Sequence, residues 1–371
     1  MPVRRDDLGA RAVTPDPEPA RLSSIMRPHA PRVLLALAVA LVATMIIAIG
    51  RGAVALSPGE VVAALGARLG LPIDDVPAQH VAIVCSVRLP RVVLGVLVGG
   101  ALGCAGATLQ GVVRNPLADP TLVGVSGGAA LGAVAVFVFG GSWLVHAELG
   151  AWLVPAAAFG GALVTTRLAM RLARVDGATS GITLLLAGIG LAALTGAAVG
   201  VMIYLADDAA LRSITFWSLG SLGGATWPVV AVATPPIMLA IVLLPRLGND
   251  LDRLALGELE ARHVGVDVDR VIRRATILCA LAVGAAVATC GTIGFVGLVV
   301  PYLARAVLGP GHRALVPACT LGGALLLVVG DLIARTIVAP AELPVGIVTA
   351  LAGAPVLLAI VRRGQGAEAM P

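Results

Sequence analysis

The chain has 371 residues, of which 58% are hydrophobic, 13% charged and only 3% aromatic, with a formal net charge of +5. So little charge cannot clothe a water-soluble domain of this size, and the class it defines is a polytopic, all-α membrane protein. The positive charge does not indicate nucleic acid: the arginines sit in short segments between apolar runs, with no basic stripe and few aromatics to stack on bases. The chain contains no lysine, which excludes a Walker A loop, whose lysine reaches the β- and γ-phosphates of a nucleotide.

In chain order, residues 1–31 are rich in Pro, Arg and Asp and lack an apolar core; they read as a disordered tail without a cleavable signal. Apolar runs of about 15–25 residues, long enough to cross a bilayer, follow at 32–50, 91–110, 121–140, 151–170, 181–205, 228–245, 275–291, 294–308, 314–334 and 344–361. These make about ten spans in one transmembrane domain, 32–363, closed by a short tail, 364–371. Arginine placement orients them, because cytoplasmic loops carry the excess of positive charge. Both termini, Arg114, Arg167, Arg171, Arg174 and the arginine-rich 246–274 segment fall inside. Arg51, Arg68, Arg88, Arg91, Arg212 and Arg335 fall outside, among Asp74, Asp75, Asp207, Asp208 and Glu342.

Several segments stand out between these runs. Within "QGVVRNPLADPTLVGVSGGAALG" (110–132), Pro116 and Pro120 break the helix, while Asn115, Asp119 and Thr121 can satisfy its freed backbone groups. Gly124, Gly127 and Gly128 then allow close backbone approach. "GATSGITLLLAG" (177–188) gathers Thr179, Ser180 and Thr183 at the start of the fifth span, where they suit helix capping. "LALGELEARHVG" (254–265) is a short charged stretch bracketed by Gly257 and Gly265. Gly291, Gly294 and Gly297 ahead of Pro301 predict a broken helix, tolerated in a membrane only under cover of protein or a water-filled cavity. Gly106 precedes Pro116 by the interval separating Gly291 from Pro301, a spacing an inverted repeat would produce. Asp331 and Arg335 are one helical turn apart and suit an ion pair. The five cysteines form no CxxC motif and read as small apolar residues, so no metal site is expected. No HExxH, GxSxG or carboxylate cluster points to an enzyme.

Five stretches in order, "RLPR" (88–91), "QGVVRNPLADPTLVGVSGGA" (110–129), "LALGELEARHVGV" (254–266), "GTIGFVGLVVPYLAR" (291–305) and "DLIARTIVAPAELPVGIVTALAGAP" (331–355), resemble the motifs of FecCD-type permeases. These are the membrane subunits of ABC importers for iron–siderophore complexes, haem and vitamin B12. The resemblance implies a ten-helix type II importer fold in a bacterial cytoplasmic membrane. It also implies a homodimer with two ATPase subunits below and a substrate-binding protein outside. No cofactor belongs to this chain; ATP and Mg would be bound by the ATPase. The resemblance makes 246–274 the loop that couples to the ATPase, through Leu254, Gly257, Glu258, Leu259, Glu260, Arg262, His263 and Gly265, with Leu254, Leu259 and Val264 as apolar anchors. It places a cytoplasmic gate near Thr179, Ser180 and Thr183. Docking of the binding protein falls to Arg335, with Arg51 and Arg68 as looser candidates. Arg114, Asn115, Pro116, Asp119, Pro120, Gly127 and Pro301 belong to the structural motifs. Pro301 is followed here by Tyr302 where the family often has His. The segments 204–228 and 338–347 look closest to haem-uptake permeases, so an iron complex, haem first, is the expected cargo. A ferric siderophore, vitamin B12 or an ion-driven secondary transporter are the alternatives.

Overall fold

A computed structural model describes residues 29–52, 54–71, 76–120, 124–140, 150–175 and 178–368; residues 1–28 of the N-terminal tail, Asp74, Asp75 and Thr121 lie outside them. Helix α1 (Ala30–Gly50) is followed by the short α2 (Pro58–Arg68) and by α3 (Ala78–Val113). Next come α4 (Val125–Phe139), α5 (Gly150–Leu172), a two-residue hairpin of β1 (Arg174–Val175) and β2 (Ala178–Thr179), then α6 (Gly181–Leu205) and α7 (Asp208–Ser218). After α8 (Trp227–Leu243) the chain makes two short helices, α9 (Gly248–Leu254) and α10 (Glu258–His263). It ends in α11 (Val268–Cys290), α12 (Val296–Leu308), α13 (His312–Ala334) and α14 (Val345–Glu368).

Seven of the described helices are long and apolar enough to cross a membrane, and Val125–Phe139, Val296–Leu308 and Val345–Ala359 are shorter apolar helices. Together they account for every run expected from the sequence. Two helices were not expected, α2 and α7, because both are short and carry charged residues at the bundle's end. Ser57 starts α2 with a capping box: its hydroxyl accepts from Glu60 N and its own N–H donates to Glu60 Oε2 at 2.7 Å. That backbone bond holds the Glu60 carboxyl below its usual range.

At the centre of the bundle is α3, whose residues from Leu89 to Val113 are nearly all buried and which packs on both α11 and α13. Gly99 and Gly103 of α3 lie so close to α13 that a Cβ there would fall on the carbonyls of Gly323 and Cys319. Small residues four apart let two backbones touch, which supplies packing that apolar burial from water cannot supply in lipid. By contrast α1 turns Leu35, Val39, Val42 and Ile46 outward, as a lipid-facing helix does.

The expected helix break is present. α11 stops at Gly291 (φ 71°) and α12 begins after Phe295 (φ 67°). The break is covered rather than exposed to lipid: Ser221 N donates to the freed Cys290 carbonyl at 2.7 Å, and Thr292 hydroxyl donates to Ser218 O. The repeated Gly–Pro spacing is not a structural repeat at these positions. Gly106 lies inside continuous α3 and packs on Gly297, whereas Gly291 ends a helix.

Candidate functional site

At one end of the bundle, α3 terminates in a tight turn. Arg114 takes the left-handed conformation (φ 55°, ψ 35°), and Pro116, which has no N–H, cannot continue the helix. Asn115 closes the turn, accepting from Leu117 N on its side-chain oxygen at 2.9 Å and from Ala118 N on its carbonyl at 3.1 Å. Pro120 then packs against Gly297 at the start of α12, and Gly127 lies against Thr195 of α6. Pro301 sits buried inside α12. The motif residues therefore join the turn after α3 to α12, and α4 to α6.

Beside that turn, β1 and β2 pair Arg174 with Thr179 and lead into α6. The first N–H groups of a helix have no partner within it. Ser180 occupies the N-cap position, yet its side chain does not cap the helix. The acceptor comes from far along the chain. Gly181 N donates to Glu258 Oε1 at 3.0 Å, and the Ser180 hydroxyl donates to the same oxygen at 3.3 Å. A carboxylate at a helix N-terminus is also favoured by the helix dipole. Thr179 N donates to Asp269 Oδ1 at 2.5 Å. Arg114 Nη2 lies 3.7 Å from Glu258 Oε1, and Arg262 Nη2 pairs with Asp269 Oδ2 at 2.8 Å. Thr183, half-buried one turn into α6, joins neither contact.

Helix α10 forms where the sequence brackets it: Gly257 (φ 133°) and Gly265 (φ 84°) adopt conformations other residues reach only with strain. The faces divide differently from the expectation. Leu254 is fully buried, closing α9 onto the bundle, and so cannot anchor an outside partner. Leu259 and Val264 are exposed as expected, and Leu256 joins them. Glu260, Arg262 and His263 are exposed, while Glu258 is half-buried and turned inward to α6. Behind α10, α9 is pinned to α13 by Asp252, whose Oδ1 accepts from His312 N and meets His312 Nδ1, each at 2.7 Å. Sequence reading missed Asp252 and Asp269. In sequence, Asp269 is indistinguishable from a capping acid at the start of α11, the role that Asp267 fills by accepting from Arg270 N.

At the opposite end lies a buried ion cluster. Arg91 meets Asp331 at 2.9–3.1 Å and Glu342 at 2.8–2.9 Å. Arg335 reaches Asp331 at 3.6 Å, so the expected pair exists, but Arg91 is the closer partner. Arg335 also donates to Ala48 O at 2.6 Å, and Arg88 donates to Ile49 O and Gly50 O at 2.8 and 2.9 Å. These two guanidiniums thus satisfy the carbonyls that the end of α1 leaves open. Arg335 is only 4% exposed, so its side chain is held within the subunit, unlike Arg51 and Arg68, which are more accessible. Arg91 and Asp331 lie 240 residues apart in the sequence, and that pairing has no local signature, unlike the one-turn pair of Asp331 with Arg335.

Among the described residues no group of His, Cys, Asp and Glu is arranged to hold a metal. All five cysteines are buried.

An apolar bundle with one end carrying a short exposed helix hydrogen-bonded to a span is the architecture of a multi-span membrane protein. The chain belongs to the FecCD transport family, which matches residues 40–363; this is a family of ABC transporter permease subunits, which are not themselves enzymes. It is 46% identical over 278 residues, 75% of this chain and 82% of the relative, to the hemin transport system permease protein HmuU of Yersinia pestis. It is 40% identical over 287 residues, 77% of this chain and 75% of the relative, to the cobalamin import system permease protein BtuC of Halobacterium salinarum. Among solved structures it resembles an inward-facing metal-chelate type ABC transporter, with a TM-score of 0.76, 30% identity, and 90% of this chain and 99% of that one covered.

Proposed function

We propose that this chain is the permease subunit of an ATP-driven importer that carries an iron complex, haem first, across a bacterial cytoplasmic membrane. It works as a homodimer, with both termini and the 246–274 loop in the cytoplasm. Two ATPase subunits hold ATP and Mg and hydrolyse ATP, and a binding protein delivers cargo from outside. The observation that carries the reading is α10: a glycine-bounded helix outside the bundle that exposes Leu259, with Leu256 and Val264 at its flanks, beside Glu260, Arg262 and His263. Apolar side chains turned to water beside charges suit a protein partner, and the missing lysine requires that partner to supply the nucleotide site.

The second copy is assigned to α6. This helix exposes Leu186, Ile189, Leu194 and Val201, and around Gly190, Gly196 and Gly200 there is open space. Gly196 and Gly200, four apart, suit a close helix crossing. The binding protein's carboxylates are assigned to the end holding Arg51 and Arg68. There the buried cluster beneath, with Arg88, Arg91 and Arg335 against Asp331 and Glu342, adds a further positive charge. In this arrangement Arg335 acts through the field rather than by contact.

Haem is favoured by the 46% identity to a hemin permease. A cobalamin cargo is the second reading, favoured by the 40% identity to a cobalamin permease. Reconstitution with the ATPase and binding protein tests both. Hemin uptake should require ATP and survive collapse of ion gradients; uptake that follows a gradient without ATP would instead mark a secondary transporter. Competition by unlabelled hemin, ferric siderophore and cobalamin assigns the cargo.

A further inference from the structure

We propose that Glu258 and Asp269 are a two-point clamp that makes α10 and the N-terminal end of α6 move as one body. Asp269, like Glu258, is thereby a positioning residue for transport. The inference rests on the reading of α10 as the ATPase contact, and adds how displacement there reaches a membrane span.

The clamp has one point on α10 and one just after it. Glu258 is the first residue of α10; Asp269 is the second residue of α11, and Arg262 of α10 is joined to it at 2.8 Å. Each carboxylate takes a backbone N–H at the root of α6: Gly181 for Glu258 at 3.0 Å, Thr179 for Asp269 at 2.5 Å. Because the donors are main-chain groups, the attachment does not depend on the side chains at 179 and 181. Any displacement of α10 then pulls directly on the backbone where the hairpin becomes helix. Arg114 at 3.7 Å brings the turn after α3 to the same Glu258 oxygen. The rest of the α10 surface, at Leu259, Glu260, His263 and Val264, stays free for a partner. Glu258 and Gly181 are 77 positions apart in the sequence, so this contact serves no local folding need of α10.

Two measurements test it. In the permease alone in nanodiscs, nitroxides at Leu259→Cys and Ile182→Cys, both exposed positions, report the spacing of α10 and α6. A narrow distance distribution is expected, broadening in Glu258→Ala/Asp269→Ala and unaffected by Thr179→Ala/Ser180→Ala, which leaves both backbone donors in place. In the full complex, the double alanine variant should retain its ATPase and its rate of ATP hydrolysis. Its hemin uptake should fall at least tenfold, ~1.4 kcal/mol. Glu258→Gln/Asp269→Asn, which keeps an acceptor oxygen at each point, should restore most of that loss. An unbroadened distribution, unchanged uptake, or loss of the ATPase from the alanine variant would each overturn the clamp. If the wild-type complex itself neither binds the ATPase nor imports hemin, the functional reading fails, and the spin-label comparison still judges the clamp by itself.

Discussion

Neutralising Asp331 should destabilise the fold far more than neutralising Glu342, although both pair with Arg91. Asp331 is 3% exposed and faces two guanidiniums, Arg91 at 2.9 Å and Arg335 at 3.6 Å, that are themselves 6% and 4% exposed. Asp331→Asn leaves both cations, with Arg88 nearby, facing only Glu342. Removing one partner of a buried pair strands its charge and costs about 3–5 kcal/mol. The Glu342 side chain is 48% exposed, so water already screens it and Glu342→Gln should cost at most ~1 kcal/mol. For a chain this long, roughly 2 °C accompanies each kcal/mol. Asp331→Asn should therefore lower the midpoint of thermal unfolding in detergent by about 6–10 °C, and Glu342→Gln by about 2 °C or less. Tryptophan fluorescence can follow both. Equal shifts, or a larger one for Glu342→Gln, would show that burial does not set the strength of this cluster.

Two further substitutions address packing and partner contact. Gly103→Leu drives a side chain into the Cys319 carbonyl of α13 and should cost at least ~1–3 kcal/mol of overpacking, read as a lower unfolding midpoint. The same change at Gly196, where space is open, should leave the midpoint of the isolated subunit unchanged. Leu259→Asp places a charge on the exposed face of α10 and should abolish co-purification of the ATPase while the permease still inserts and unfolds normally. Retention of the ATPase by this variant would remove α10 from the interface.

The spans were legible because a long apolar run announces itself locally, and each expected run coincides with a helix to within about a turn, or two to four turns at the starts of α3 and α11 and the end of α14. The break before α12 was legible for the same reason, since Gly291 and Gly294 mark it within five residues. What the sequence concealed is long-range. Nothing near Glu258 names Gly181 as its donor, and nothing near Arg91 names Asp331. Leu254 was misplaced because three apolar residues in one charged stretch look alike. At 100° per residue, Leu254 and Leu259 point about 140° apart even on a continuous helix, and α10 begins only at Glu258. The resemblance pointed to 254–265 and to 177–188 separately; only the fold brings the two segments to hydrogen-bonding distance.

The two ends of the bundle are fastened with different strengths, and this predicts which span moves. Helices α1 and α6 are comparably open, and Ile46 and Val201 are each 62% exposed. Yet Arg88 and Arg335 hold the end of α1 through buried bonds to the carbonyls of Ala48, Ile49 and Gly50. The far end of α6 has only the local bond from Ala206 N to Ile203 O among the hydrogen bonds of the described residues. Its near end hangs on Glu258 and Asp269, whose side chains are 21% and 35% exposed and so bind more weakly than a buried pair. Nitroxides at Ile46→Cys and Val201→Cys, each measured against a label on α13 of the same subunit, place this contrast under test, their exposure being matched within the single subunit. The Val201 label should show the broader distance distribution, and ATP binding by the complex should shift it while the Ile46 distance stays fixed. Equal widths would mean that end-fastening does not govern mobility here, and that packing of α6 on α4, α5 and the second copy restrains it.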